Sequence, residues 1–254
     1  MDTRKKKKYM EGLTRRMGFD NVHYVEPQGL SGGLCLWWNN KVNLVVNKSS
    51  PNFVDVAVQL EGSNFIWQSI FVYGCPNQKN RRDFWNQLHD ISSPSIPCIF
   101  VGDFNSIASQ DDKWGGADFS FSQARDMHNF IEFRELMDLE CKGPYFTWFN
   151  KQFGRVAILE RLDRALASIE WKEAFPKAYV LNEALIESDH SPLVLCLDGF
   201  QTPKKQFSFK FEAKWMLHSE CQAVTSSAWN QQIIGSPMFS IMKKLKFCRI
   251  VLSK

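Results

Sequence analysis

The 254-residue sequence has no apolar run approaching the ~18 residues a membrane-crossing helix needs. It also shows no apolar leader, since Met1-Asp2-Thr3-Arg4-Lys5-Lys6-Lys7-Lys8 is polar almost throughout. Both absences point away from a membrane protein and from secretion, toward a reducing compartment. Cysteine is sparse and scattered: the seven residues, Cys35 to Cys248, are odd in number and never form C-x-x-C. That excludes a zinc ribbon or a disulfide framework as the organising element. No fixed-period repeat is visible, which argues against a solenoid. What is there is ordinary globular composition, 44% hydrophobic and 23% charged, on a chain long enough for one large core or two small ones.

The net charge of +4 conceals an uneven distribution. Residues 1–17 carry net +5 and residues 200–254 net +7, while the body between them holds 15 basic against 23 acidic side chains. A passive polyanion binder gains its affinity from cationic side chains meeting phosphates, so an acidic body with basic ends fits that role poorly. Carboxylates gathered around a divalent cation would account for it.

Helical spacing of Tyr9, Met10, Leu13 and Met17, stopped by Gly18, predicts a helix over 3–17. Short β-branched and aromatic runs follow at Val22–Val25, Gly33–Trp38, Val42–Val46, Phe53–Leu60 and Phe65–Tyr73, and predict a mostly antiparallel sheet. A helix over Arg81–Ile91 then feeds a buried strand, Cys98–Val101, that ends in Gly102-Asp103. Further on, the pattern predicts a long helix over Phe121–Leu139, with Phe130, Phe133, Leu136 and Met137 on one face. Strands are predicted at Tyr145–Phe149, Arg161–Ala167, Ala178–Ile186 and Leu193–Leu197, with a short helix around Trp171. Two sets of strands with interspersed helices favour two stacked sheets flanked by helices. Beyond Pro203 the pattern predicts a strand-like piece at Phe207–Phe211 and helices over Ala213–Trp229 and Met238–Leu252.

Gly102-Asp103-Phe104-Asn105 directly follows a buried strand, so Asp103 and Asn105 can work together, one on a water and one on an oxyanion or cation. The same residues also favour a plain turn. Ser188-Asp189-His190-Ser191-Pro192 precedes the last strand and offers Asp189 to a metal and His190, which titrates near neutrality, to a phosphate. Arg161-Leu162-Asp163-Arg164 places Asp163 among apolar neighbours, where a carboxylate needs a partner such as a histidine. Tyr73-Gly74-Cys75-Pro76-Asn77 ends a strand and can present a phenol. The other histidines, His23, His89, His128 and His218, have no such context. Trp114 and Trp148 read as core or hinge residues, Asp111-Asp112 as a solvated loop, and Arg4–Lys8 as a solvated helix face.

In this order, Y-x-x-P-N, G-D-F-N, R-L-D and S-D-H, the four elements resemble the endonuclease/exonuclease/phosphatase (DNase I-like) family. More particularly they resemble the endonuclease domain of plant LINE-type non-LTR retrotransposons. That likeness is carried by Ser31-Gly32-Gly33-Leu34, Gly143-Pro144-Tyr145-Phe146-Thr147-Trp148, Glu160-Arg161-Leu162-Asp163-Arg164-Ala165 and Phe211-Glu212-Ala213-Lys214-Trp215. The resemblance implies an α+β, four-layer αββα sandwich over 1–200, with 201–254 a helical linker toward a reverse transcriptase supplied elsewhere. It also implies a metal-dependent hydrolase that nicks DNA and leaves a free 3′-hydroxyl. Asp103 would activate water, Asn105 would steady the phosphorus, and His190, oriented by Asp163, would contact the phosphate, with Tyr73 near the leaving group. Asp2 and Asp189 would hold Mg2+ or Mn2+. The expected partner is DNA, the expected state a monomer, and the expected location the nucleus rather than the cytoplasm.

The chain departs from the family at its start. Family members open with a strand bearing W-N-x-R-G and a second ending in E-T-K, whereas here Asp2-Thr3-Arg4 matches E-T-K and the first strands are missing. Weakened or absent activity is the expectation. Two alternatives stay open: a phosphatase of the same fold acting on a small phosphoester, and a non-catalytic nucleic-acid-binding remnant.

Overall fold

The structure, a computed structural model, describes residues 7–28, 31–77, 80–91, 96–185, 188–197, 215, 219–233 and 237–252. The chain divides into two compact units, Met1–Phe200 and Gln201–Lys254. Phe207–Phe211 and the start of the predicted first helix lie outside the described residues.

The first unit begins with α1 (Lys7–Met17) and the hairpin β1 (Asn21–Gln28) and β2 (Ser31–Trp38). A meander follows: β3 (Val42–Ser50), β4 (Phe53–Leu60) and β5 (Ile66–Tyr73). Helix α2 (Arg81–His89) crosses over to β6 (Cys98–Asp103), which pairs parallel with β5. After β7 (Lys113–Trp114) come α3 (Phe121–Phe133), β8 (Leu136–Asp138), β9 (Cys141–Lys142), β10 (Trp148–Phe149) and β11 (Leu159–Glu160). The unit continues with β12 (Asp163–Ser168), α4 (Ile169–Ala174), β13 (Tyr179–Asn182) and β14 (Leu193–Cys196).

The central sheet has the order β3-β4-β5-β6-β12-β8. Because strand side chains alternate, each of its faces builds a separate core. One face sends Phe53, Ile70, Phe100 and Leu166 against Phe84 and Leu88 of α2 and Met127 and Phe130 of α3. The other sends Val54, Val56, Ile99 and Ala165 against a second layer made of two sheets, β1-β2 and β14-β13-β9. Leu34 and Leu36 of β2 face this core. Trp37, pointing the other way, meets α1 through an indole N–H···Thr14 hydrogen bond of 2.8 Å. The layers therefore run α2/α3, sheet, sheet, α1, the four-layer αββα arrangement. With both faces covered, the central strands read as nearly continuous apolar runs, which is why β4 and β6 stand out in the sequence.

The predicted helix over Phe121–Leu139 is shorter than its periodicity suggests. It stops at Phe133, Glu135 takes φ 50°, and Leu136 and Met137 belong to β8, paired with β12. Phe133 is correspondingly 68% exposed rather than on the buried face, which consists of Ala124, Met127 and Phe130. The strand predicted over Tyr145–Phe149 shrinks to β10. All seven cysteines are free. In the second unit, α5 (Ser219–Trp229) and α6 (Pro237–Leu252) pack together around buried Ala228 and Cys248. No helix among the described residues is long and apolar enough to cross a membrane.

Candidate active site

β5 and β6 end side by side, and β12 begins where they end. The register puts Tyr73 opposite Asp103 and Asp103 opposite Asp163. With a period of two, Tyr73 shares a face with Phe71, Asp103 with Val101, and Asp163 with Ala165, so all three point toward the second layer. A one-residue slip of either ladder would turn the carboxylates into the helix-covered core.

Asp103 is 8% exposed, and its surroundings are built around it. Asn105 sits at φ 49°, which brings its backbone N–H to Asp103 Oδ1 at 2.7 Å and its side-chain N–H to Asp103 Oδ2 at 2.8 Å. The same Asn105 amide also donates to the Gly74 carbonyl at 2.9 Å. Gly74 has no room for a side chain, because a Cβ there would lie 2.1 Å from the Phe104 carbonyl oxygen. Asp163 gains the histidine partner its burial requires: His190 Nδ1 lies 2.9 Å from Asp163 Oδ2, and His190 Nε2 is 3.9 Å from Asp103 Oδ2.

These placements set the electrostatics. Burial first, and then the like charge of Asp163, push Asp103 up to about 7 against the opposing pull of His190 and the Asn105 N–H. Burial works to lower His190, but the hydrogen bond and charge of Asp163, followed by the charges of Asp103 and Asp189, outweigh it and raise the imidazole above 6.5. For Asp189, burial is outweighed by its own backbone N–H, the Trp148 indole and nearby positive charge, and its carboxyl is held low. One atom from each of Asp103, Asp163 and His190 falls within 4.8 Å of the others, a group able to hold a metal ion. Two neighbouring carboxylates suit a hard divalent cation, which takes oxygen donors.

The group opens into a cleft of about 920 Å³. Phe71 and Val101 lie beneath it, Leu36 and Leu193 line its apolar part, and Tyr73, Asn105, Asp189 and His190 its polar part. Of the site residues expected from sequence, Tyr73, Asp103, Asn105, Asp163, Asp189 and His190 all line this cleft. Asp189 stands outside the tight three-residue group, and Asp2 lies outside the described residues. Trp148 lines the cleft and donates to Asp189 at 3.3 Å, whereas Trp114 is 52% exposed and is no core residue. Arg81 also lines the cleft. Opening α2, it reads in the sequence as part of a solvent face, so no local signal marks it.

Thr147 is a second residue that sequence reasoning missed. Fully buried, its Oγ1 accepts from the backbone N–H groups of Leu162 at 3.0 Å and Asp163 at 2.9 Å. Its carbonyl accepts from Ser191 at 2.7 Å, and next to it Trp148 bridges to His190. One threonine thus ties the strand carrying Asp163 to the segment carrying His190. Thr147→Val would orphan two N–H groups at ~1–3 kcal/mol each, so a loss of about 2–6 kcal/mol is expected in urea denaturation. Thr147→Ser should lose less than about 1 kcal/mol; equal losses for both would count against the hydrogen-bonding account.

The sequence profile of the endonuclease/exonuclease/phosphatase family matches residues 4–190. No curated protein matches the chain. Among solved structures, it is similar to the endonuclease domain of TRAS1, a telomere-specific non-LTR retrotransposon. The TM-score is 0.54 at 16% identity, covering 74% of this chain and 90% of that one. An AP endonuclease from Archaeoglobus fulgidus gives a TM-score of 0.51 at 15% identity, covering 78% of this chain and 86% of that one. The Xenopus laevis APE2 catalytic domain also gives 0.51, at 14% identity, with 70% and 75% covered. At such identities these structures speak for the fold. The profile spans most of the chain, and its match ends on His190, so the chain belongs to the endonuclease/exonuclease/phosphatase family.

Proposed function

We propose that this protein is a divalent-cation-dependent phosphodiesterase that nicks DNA, with water as the nucleophile and a 3′-hydroxyl and a 5′-phosphate as products. The observation that carries the reading is the row Tyr73–Asp103–Asp163 with His190 closed onto it at the mouth of a cleft. Ionised Asp103, steadied by Asn105, orients a water and draws off its proton as the new O–P bond forms. His190, fixed by Asp163, presents a protonated ring to the phosphate oxygens, where charge builds in the transition state. Tyr73 stands beside the leaving 3′-oxygen, which departs with the electrons of the broken P–O bond and takes up a proton from solvent water. Asp103 and Asp163 would hold the cation, Mg2+ or Mn2+, with Asp189 on the adjacent wall. The cation, when bound, neutralises phosphate charge. The acidic body of the chain supports this reading over passive polyanion binding, since carboxylates repel phosphates unless a cation lies between them. The second unit, two helices with a basic balance, fits a lead toward a reverse transcriptase supplied elsewhere.

The test is to incubate the full chain with supercoiled plasmid. Open-circular product that a polymerase extends, formed with Mg2+ or Mn2+ and abolished by EDTA, is expected. Hydrolysis of a sugar or inositol phosphate without nicking would assign the site to small phosphoesters instead. Absence of both activities would overturn the reading.

A further inference from the structure

We propose that Asp112, which does not line the cleft, is a positioning residue for it: a buried carboxylate that locks three site-bearing segments into one arrangement. The inference rests on the reading of the cleft as a phosphodiesterase site. The sequence suggests a solvated loop at Asp111-Asp112, but Asp112 is 2% exposed. The reason is the number of donors that reach it from other segments.

Its Oδ2 accepts from the backbone N–H groups of Ala108 at 2.8 Å and Ser109 at 3.0 Å, in the loop that leaves Asp103 and Asn105. The Arg164 guanidinium, beside Asp163, donates to the same oxygen. Tyr145, just before Thr147, donates to Oδ1 at 2.9 Å, and the Asp112 carbonyl accepts from the Arg161 N–H at 2.8 Å. The loop after β6, the start of β12 and the segment leading into β10 therefore converge on one residue. These are the segments that deliver Asp103 with Asn105, Asp163, and the Thr147–Trp148 support of His190.

Asp138 completes the cluster, pairing with Arg161 at 2.9 Å and Arg164 at 2.7 Å, so two acids face two arginines. A buried ionic cluster is often no more stabilising than apolar residues of the same volume. Stability alone is therefore a poor explanation for it. What apolar packing cannot supply is fixed direction, and here directed bonds run to three separate segments at once.

The full chain distinguishes positioning from plain structural support. Asp112→Asn keeps the shape but leaves Arg164 short of a counter-charge. Nicking kinetics should show kcat lowered by about 10–100-fold with KM within about twofold. The proton on His190 Nδ1, hydrogen-bonded to Asp163, should lose its sharp NMR resonance. Arg164→Met in the same chain removes the surplus positive charge while Arg161 stays paired with Asp138. That double variant should recover the thermal midpoint but neither kcat nor the resonance. Recovery of all three, or an unchanged resonance in Asp112→Asn, would overturn the proposal. Tyr145→Phe serves where Asp112→Asn does not fold: about a 3–10-fold loss in kcat is expected with the midpoint nearly unmoved, and wild-type kcat with a wild-type resonance would overturn it. A wild-type chain that nicks nothing sinks the functional reading first; the ring-proton signal still decides the role of Asp112, because it needs no turnover.

Discussion

Asp103→Ala is expected to lower the nicking rate by roughly 10³-fold or more, since a positioned base contributes about 10²–10⁴-fold and the same carboxylate belongs to the group able to hold a metal ion. The rate should also fall as pH is lowered through about 7, where Asp103 takes up its proton. On the alkaline side it should fall as His190, raised above 6.5 chiefly by Asp163 against its burial, gives up its own proton. Folding stability responds to Asp103 in the opposite sense. A carboxyl whose folded pKa lies near 7 rather than 3.8 contributes stability that is complete below about pH 3.8 and is lost as pH rises through about 7. Asp103→Asn has no proton to lose. It should exceed wild type in stability at pH 8 by on the order of 1–3 kcal/mol, with the gap closing toward pH 4. Mg2+ should raise the wild-type midpoint at pH 8 and do much less for Asp103→Asn. Denaturation curves at the two pH values check this: a constant gap would contradict the account of burial and like charge.

Gly102→Ala should be among the most damaging single methyls at the described residues. Gly102 adopts φ 140°, a conformation side chains rarely take, and a Cβ there would lie 2.2 Å from the Val72 carbonyl oxygen. Val72 is its ladder partner in the parallel pair of β5 and β6. The obstructing atom is backbone, so relief requires the two strands to part beside Asp103. A loss above about 4 kcal/mol is expected, a large share of a typical total of ~5–15 kcal/mol, and much of the chain should be recovered unfolded. Gly12→Ala in α1 is the control: nothing lies within 4 Å of its Cβ, and a gain of about 0.5–1 kcal/mol is expected. A Gly102→Ala chain within about 1 kcal/mol of wild type would mean the strands yield more easily than a packed ladder should.

Where local pattern decides structure, the sequence was readable. β4 spans Phe53–Leu60 as its β-branched and aromatic run and flanking turn residues predict, and α2 begins at the predicted Arg81. Where tertiary pairing decides, it was not. β8 is three residues long and exists because β12 pairs with it, so Leu136 and Met137 continued a helical period on paper that Glu135 ends in the fold. The parallel pairing of β5 and β6 was likewise invisible among hairpin-like runs. At the site, residue types and order pointed to Asp103, Asn105, Asp163, Asp189 and His190, because strand ends with acids and amides are local features. Thr147 counts in the sequence only as part of a resemblance motif and Asp112 only as a solvated loop, because what makes them matter is burial against donors from distant segments, and nothing adjacent in the chain announces it.

The row of Tyr73, Asp103 and Asp163 also fixes when the proposed reactive centre can come into being. The meander of β3, β4 and β5 closes through short loops, but β12 must insert between β6 and β8, and His190 must then reach back to Asp163. Contacts so remote along the chain are slow to form. During synthesis, a nascent chain that stops before residue 190 lacks His190 and so lacks part of the proposed reacting set.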